Sequence, residues 1–212
     1  MPASERQHAG LLLSKEVLWL ACKEKTCCSV RVVFVTDRDV ARIASAMHVE
    51  PWSFLAYYET PPRPDAFILD ASGQHYCLAL AKQPTRRTVT PAPCIFLVQT
   101  RDRYRRCGLG DLRPAACKTF PSEIVEGVLH LALQSGCSCR TWSHGDVDIE
   151  AESTIARWRE AELSDYCSVV ARWNDLVLAR QAGDDEFDLD DFCAYLLSTS
   201  DAARHPIQAV SL

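Results

Sequence analysis

Apolar residues recur along this chain with two different periods, and each switch marks an expected element. Residues 29–35, SVRVVFV, are rich in β-branched side chains and predict a strand. Thr36 and Asp39 then form a capping-box pair, and Val40, Ile43, Ala44 and Met47 follow at helical spacing. A second, shorter helix is expected over PWSFLAYYE, with Pro51 in its first turn. Beyond TPPRPD the period shortens. FILDA at 67–71, a turn at Ser72 and Gly73, YCLALA at 76–81 and CIFLVQ at 94–99 predict antiparallel strands. GVLHLALQ at 127–134 predicts another strand, with a short helix as the alternative its periodicity allows.

From about Thr154 the pattern becomes one long amphipathic helix whose buried stripe is Ile155, Trp158, Tyr166, Val169, Val170, Trp173, Leu176 and Val177. Gly183 ends it, the acidic stretch GDDEFDLDD follows, and a last short helix runs around Phe192 to Leu197. The tail beyond Asp201 is expected to be loose. Neither repeats nor low-complexity blocks interrupt the chain. The pattern predicts an α+β fold, with a β-rich unit and flanking helices over residues 1–150 and a helical extension over 151–212 packed on it.

Composition narrows the chemistry. A chain of 212 residues can bury a core without covalent staples. With 48% hydrophobic and 24% charged residues and a net charge of -5, it falls among ordinary soluble globular proteins, and nucleic acid is a poor expectation for a partner. The opening MPASERQHAGLLLSKEVLWL places an acid and polar residues before an apolar patch broken by Lys15 and Glu16. It predicts neither a signal peptide nor a membrane span, so a cytoplasmic location is expected. Reducing conditions there disfavour structural disulfides, which leaves eleven unevenly spaced cysteines to be explained, and metal binding is the leading explanation.

The cysteines fall into groups: Cys22-x4-Cys27-Cys28, then Cys94, Cys107-x9-Cys117 and Cys137-x-Cys139. Thiolates are soft ligands suited to zinc or iron-sulfur clusters. On a strand, consecutive side chains point to opposite sides, so either the backbone turns at Cys27 and Cys28 or only one of them is a ligand. No Cys-x2-Cys pair is present, which weakens a zinc-ribbon reading. In DLRPAACKTFP, Pro114 is placed to begin a short helix with Cys117 in its first turns. There the positive end of the dipole, helped by Arg113, is expected to favour the thiolate. Cys77, Cys167 and Cys193 lack cysteine neighbours and are expected in the core.

Cys27-Cys28, VTDRDVARIA, CIFL at Cys94, Cys107 and LRPAACKTFP follow one another in an order that resembles the YkgJ-like cysteine-cluster proteins, described as zinc- or iron-chelating domains. The match runs from about Cys22 to Cys139, and Arg113-Pro114-x2-Cys117-x2-Phe120-Pro121 is its most specific part. That family usually opens with a Cys-x2-Cys-Gly-x-Cys-Cys run; here only Cys22 precedes the pair, and Gly110 stands where an aromatic is common. The resemblance implies a bound metal, an iron-sulfur cluster of the 4Fe-4S type before zinc, held by Cys22, Cys27, Cys28, Cys94, Cys107, Cys117 and one or both of Cys137 and Cys139. Arg113 beside the cluster would tune it, and the expected role is electron transfer or redox-linked assistance to a protein partner.

Two alternatives come from other classes. A flagellin lysine N-methylase is similar in carrying a related cysteine-cluster region, which implies an S-adenosylmethionine-dependent enzyme. A zinc-stabilised interaction module is the other. His144 is expected at the surface, although a mixed-ligand site is open to it. Arg101, Arg103, Arg105 and Arg106 predict a solvated hairpin tip before a docking surface, and the run Asp184 to Asp191 predicts a linker with helix-capping aspartates. Trp158, Tyr166 and Trp173 are expected in the core. No phosphate-binding glycine loop is present, so nucleotide chemistry is unsupported.

Overall fold

A computed structural model describes residues 15–22, 25–84, 92–102, 104–131, 147–180 and 187–200. It is an α+β fold of helices and small antiparallel sheets. The helices are α1 (Lys15–Ala21), α2 (Thr26–Val30), α3 (Asp37–Met47), α4 (Ala115–Thr119), α5 (Ile149–Ala179) and α6 (Leu189–Thr199). The strands form three hairpins: β1 (Leu55–Thr60) with β2 (His75–Leu80), β3 (Leu97–Gln99) with β4 (Arg105–Cys107), and β5 (Ser122–Val125) with β6 (Val128–Leu131).

Helix α3 starts as its sequence dictates. The Asp39 amide donates to the Thr36 hydroxyl and the Thr36 amide to the Asp39 carboxylate, both at 3.3 Å. The aspartates before α6 behave in the same way, Asp188 and Asp191 exchanging bonds of 3.1 and 3.0 Å. Asp148 caps α5 by accepting from the amides of Glu150 and Ala151.

Three expectations are corrected. Residues 29–35 do not form a strand, because α2 takes the first two of them. The remainder is extended and meets the edge of β2 only through a bridge from Phe34 to Ala79, with Val35 donating to Leu78 at 3.2 Å. The helix expected from Pro51 is one tight turn, Pro51–Ser53, after which the Leu-Ala-Tyr-Tyr sequence turns into β1. Aromatic residues opposite a complementary strand outweigh the helix start, since Tyr57 meets Tyr76 edge-on with ring centres 5.0 Å apart. The FILDA segment makes one bridge, from Phe67 to Tyr76. Its next residue is held by α5 instead: Ile68 donates to the Asn174 side chain at 3.0 Å and accepts from the Trp173 indole at 2.7 Å.

The core lies where β1, β2, α3, α5 and α6 meet. Tyr166, Val169, Val170, Trp173 and Val177 of α5 are buried in it, each contributing roughly 1.5–3 kcal/mol of hydrophobic stabilisation. Phe192 of α6 stacks on Phe67 at 4.0 Å and meets Trp173 at 5.2 Å. Three members of the expected stripe lie outside it: Ile155 is half-buried, Trp158 is 37% and Leu176 44% exposed. Trp158 lies near the N-terminal end of the helix, where α5 packs on α4 and the β5–β6 hairpin, and its ring has the Lys118 ammonium 5.8 Å away. The expected helix stop at Gly183 and the tail beyond Asp201 lie outside the described residues. No described helix is long and apolar enough to cross a membrane.

Candidate metal centre

Cys27 and Cys28 sit on α2 and not on a strand. The preceding residue, Lys25, adopts a left-handed conformation with φ 46°, which turns the chain into this single helical turn. Its carbonyl accepts from the Cys28 amide at 2.9 Å, and the Cys27 carbonyl accepts from Arg31 at 3.1 Å. Neighbours on a helix diverge by about 100° where strand neighbours diverge by 180°, so two adjacent thiols can border one hollow. That hollow is a cavity of about 190 Å³ lined by Cys27, Cys28, Cys107 and Cys117, with Arg113 and Trp19 beside them.

Each remaining cysteine segment is tied in by backbone bonds. Cys94 donates its amide to the carbonyl of Cys28 at 2.8 Å. The Gln83 side-chain amide then braces the turn that follows, donating to the carbonyls of Cys94 at 3.1 Å and Leu97 at 2.6 Å. Cys107 ends β4 opposite Leu97. Gly108 follows because its amide donates to Phe96 at 2.8 Å, and a Cβ there would stand 3.3 Å from the same carbonyl. Gly110, at φ 51°, turns the chain toward Arg113, whose guanidinium donates back to the Gly110 carbonyl at 2.9 Å and lies 4.0 Å over the Trp19 ring.

Cys117 is placed by Asp39. This carboxylate, 1% exposed, accepts from the Ala115 amide at 3.1 Å and so holds the first turn of α4, while also pairing with Arg42. Arg42 in turn reaches the Arg113 carbonyl at 3.5 Å. The capping box of α3 and the Arg-Pro-x2-Cys segment are thereby one construction, although 76 positions separate Asp39 from Ala115.

Burial pushes the Cys117 thiol well up, and the nearby thiols of Cys107 and Cys94 push it further, in opposition to the expected pull of the helix start. Burial also raises Cys94 and Cys107, the latter opposed by amides of Leu109 and Gly110 and by Arg113. Cys27 and Cys28 hydrogen-bond to each other, which lowers the first and raises the second. Lys25 lies among them, fully buried, its ammonium donating to the Trp19 carbonyl and 4.2 Å over that ring. Burial lowers its pKa, and Cys22 and Cys27 act against that.

Thus Cys27, Cys28, Cys107 and Cys117 come together around one cavity. Cys94 is outside its lining but is felt electrostatically by Cys107 and Cys117, and Cys22 is felt by Lys25. Cys137, Cys139 and His144 lie outside the described residues. Cys77 and Cys193 are buried as expected, Cys167 half-buried, and every described cysteine is a free thiol. In the basic patch, Arg101 is exposed at the hairpin turn while Arg106 is taken up by the Leu20 carbonyl at 2.9 Å; Arg103 lies outside the described residues.

As donors, these soft thiols beside a buried ammonium and a guanidinium fit a metal–sulfur centre that would bring net negative charge. They are disposed around the cavity wall: among the described residues no three His, Cys, Asp or Glu side chains form a group that could hold one metal ion. Lys25 has no marker in the sequence as a site residue, since a lysine inside a cysteine loop suggests solvent, whereas Asp39 lies in the VTDRDVARIA segment that carries the resemblance and shows a helix-start signal. Comparison with protein-family models, with curated proteins and with solved structures finds no match to this chain.

Proposed function

We propose that this protein holds an iron-sulfur cluster of the 4Fe-4S type and acts in electron transfer or redox-linked assistance to a partner protein. The observation that carries the reading is the cavity bordered by four thiols from three separate segments, with Lys25 and Arg113 against them. Its resemblance to the YkgJ-like cysteine-cluster proteins rests on these same residues and supports it. Cys27, Cys28, Cys107 and Cys117 are the proposed ligands, with Cys94 and Cys22 next in reach and Cys137 and Cys139 retained from the motif. Thiols spread around a hollow favour a cluster over a single zinc ion, because each thiolate of a cluster binds its own iron.

When bound, such a cluster supplies one-electron exchange. The chain's own part is to offset the charge of the sulfurs with Lys25 and Arg113 and to fix Cys117 through Asp39. The test is iron, zinc and acid-labile sulfide analysis of protein purified without air, with an optical spectrum before and after reduction. Brown protein that contains iron and sulfide and bleaches on reduction is expected; colourless protein with stoichiometric zinc overturns the reading. Cys117→Ser is expected to lose most of the iron while Cys193→Ser keeps it, and full retention in the former removes Cys117 from the ligand set.

A further inference from the structure

The cavity is larger than its sulfur-lined end, and its outer wall has a different chemistry. Arg31, just past α2, and Arg159, on α5, both line it, together with Val32, Phe34 and Phe120. The Arg31 guanidinium lies 4.9 Å over the Phe120 ring, which fixes its plane. Among the described residues neither arginine forms an ion pair with a carboxylate, and the one acidic residue of the wall, Glu123, pairs with neither. In a chain of net charge -5, three arginines against one carboxylate around a single cavity are a local reversal of sign.

Arg159 is half-buried and Arg31 exposed with its plane held on Phe120; neither has a carboxylate partner among the described residues, and arginine suits planar, two-oxygen acceptors. Rings and aliphatic side chains between them favour a ligand with an apolar body behind its charged end. From this we infer that the outer part of the cavity binds a short-chain carboxylate, gripped by Arg31 and Arg159 with its hydrocarbon end against Phe34 and Phe120. The inference deepens the preceding reading and rests on it to the extent that the sulfur end is taken as the metal centre. The charge of a bound cluster is answered there first by Lys25 and Arg113; Arg31 is also felt by Cys27, so it stands between the sulfur end and the ligand, and Arg159 faces the ligand.

The experiment is a ligand-observed NMR titration of the full chain, purified without air, with butyrate and with its neutral analogue butyramide; iron is measured on the same sample. Saturable butyrate binding is expected, with butyramide roughly tenfold weaker or more because it lacks the charge-assisted bonds. Arg159→Gln and Arg31→Gln should each weaken butyrate by about tenfold, while Arg159→Lys should recover part of the loss and Arg101→Gln, exposed on the hairpin turn, should change nothing. Equal binding of butyrate and butyramide overturns the inference, as does unchanged butyrate binding in both glutamine variants or stronger binding of inorganic phosphate at the same site. Arginine-dependent butyrate binding by iron-free protein supports the pocket and removes the cluster; iron-loaded protein that does not distinguish the two ligands removes the pocket alone.

Discussion

Lys25 concentrates the chemistry of the site in one side chain. A buried ammonium is a costly group to keep; among the described residues Lys25 has no carboxylate partner, and its neighbours are a carbonyl, an indole face and thiols. Anionic sulfur nearby is the compensation that makes its burial intelligible. In the cluster reading, Lys25→Met removes a positive charge close to the iron and leaves the volume nearly unchanged. The midpoint potential is then expected to fall by something on the order of tens of millivolts, since the reduced, more negative state loses its counter-charge. A redox titration followed optically reads this, and an unchanged midpoint would separate the lysine from the metal.

Among the elements, α4 is too short to hold itself. It has five residues, and a lone turn is unfavourable without tertiary support. Asp39 supplies that support from α3 by accepting the Ala115 amide, and Arg42 joins the same network. Asp39→Ala should therefore unfasten the cysteine-bearing turn and leave Arg42 beside unpaired polar groups, at a cost of about 3–5 kcal/mol. Urea unfolding should report that loss, with iron content falling in parallel. A variant as stable as the parent would mean that the bond contributes nothing to the position of Cys117.

Across the described molecule, α5 ties together segments far apart in the chain. Near its start the buried Glu152 carboxylate accepts from Lys15 of α1 at 2.7 Å and from Ser122 of β5 at 2.6 Å. Further along, Asn174 and Trp173 hold residues 66–68. Between these points lies Glu162, 3% exposed, with one carboxylate oxygen lacking a partner among the described residues. Its pKa is raised to about 7, chiefly by burial and also by Asp39 and Asp37, against the opposing pull of Arg42 and Arg38. A carboxyl with a folded pKa above its unfolded value binds more protons when folded, so stability falls as pH rises from about 4.5 to about 7. Glu162→Gln should thus match the parent at pH 5 and exceed it at pH 8 by about 1–2 kcal/mol, discounted for solvent screening. Thermal unfolding at the two pH values tests the sign, and a variant less stable at pH 8 would refute it.

The sequence by itself determined the features that depend on neighbours a few positions apart: the capped start of α3, the capping aspartates of α6, the strand β2, most of the buried stripe of α5, and the grouping of thiols that put Cys27, Cys28, Cys107 and Cys117 among eight candidate ligands. Local propensity and spacing decide these. Only the tertiary structure decided the rest. Residues 32–35 and 55–60 took their places because their backbones met β2 from its two sides, and Ile68 left the strand pattern because Asn174 and Trp173 took its hydrogen bonds. The site depends on the same long-range contacts. Asp39 positions Cys117 from 76 residues before Ala115, and Lys25 and Arg159 are ordinary basic residues until folding brings them against the cavity. Burial, which shifts the titration of Asp39, Cys117 and Lys25, is a property of the packed chain, and nearest neighbours do not encode it.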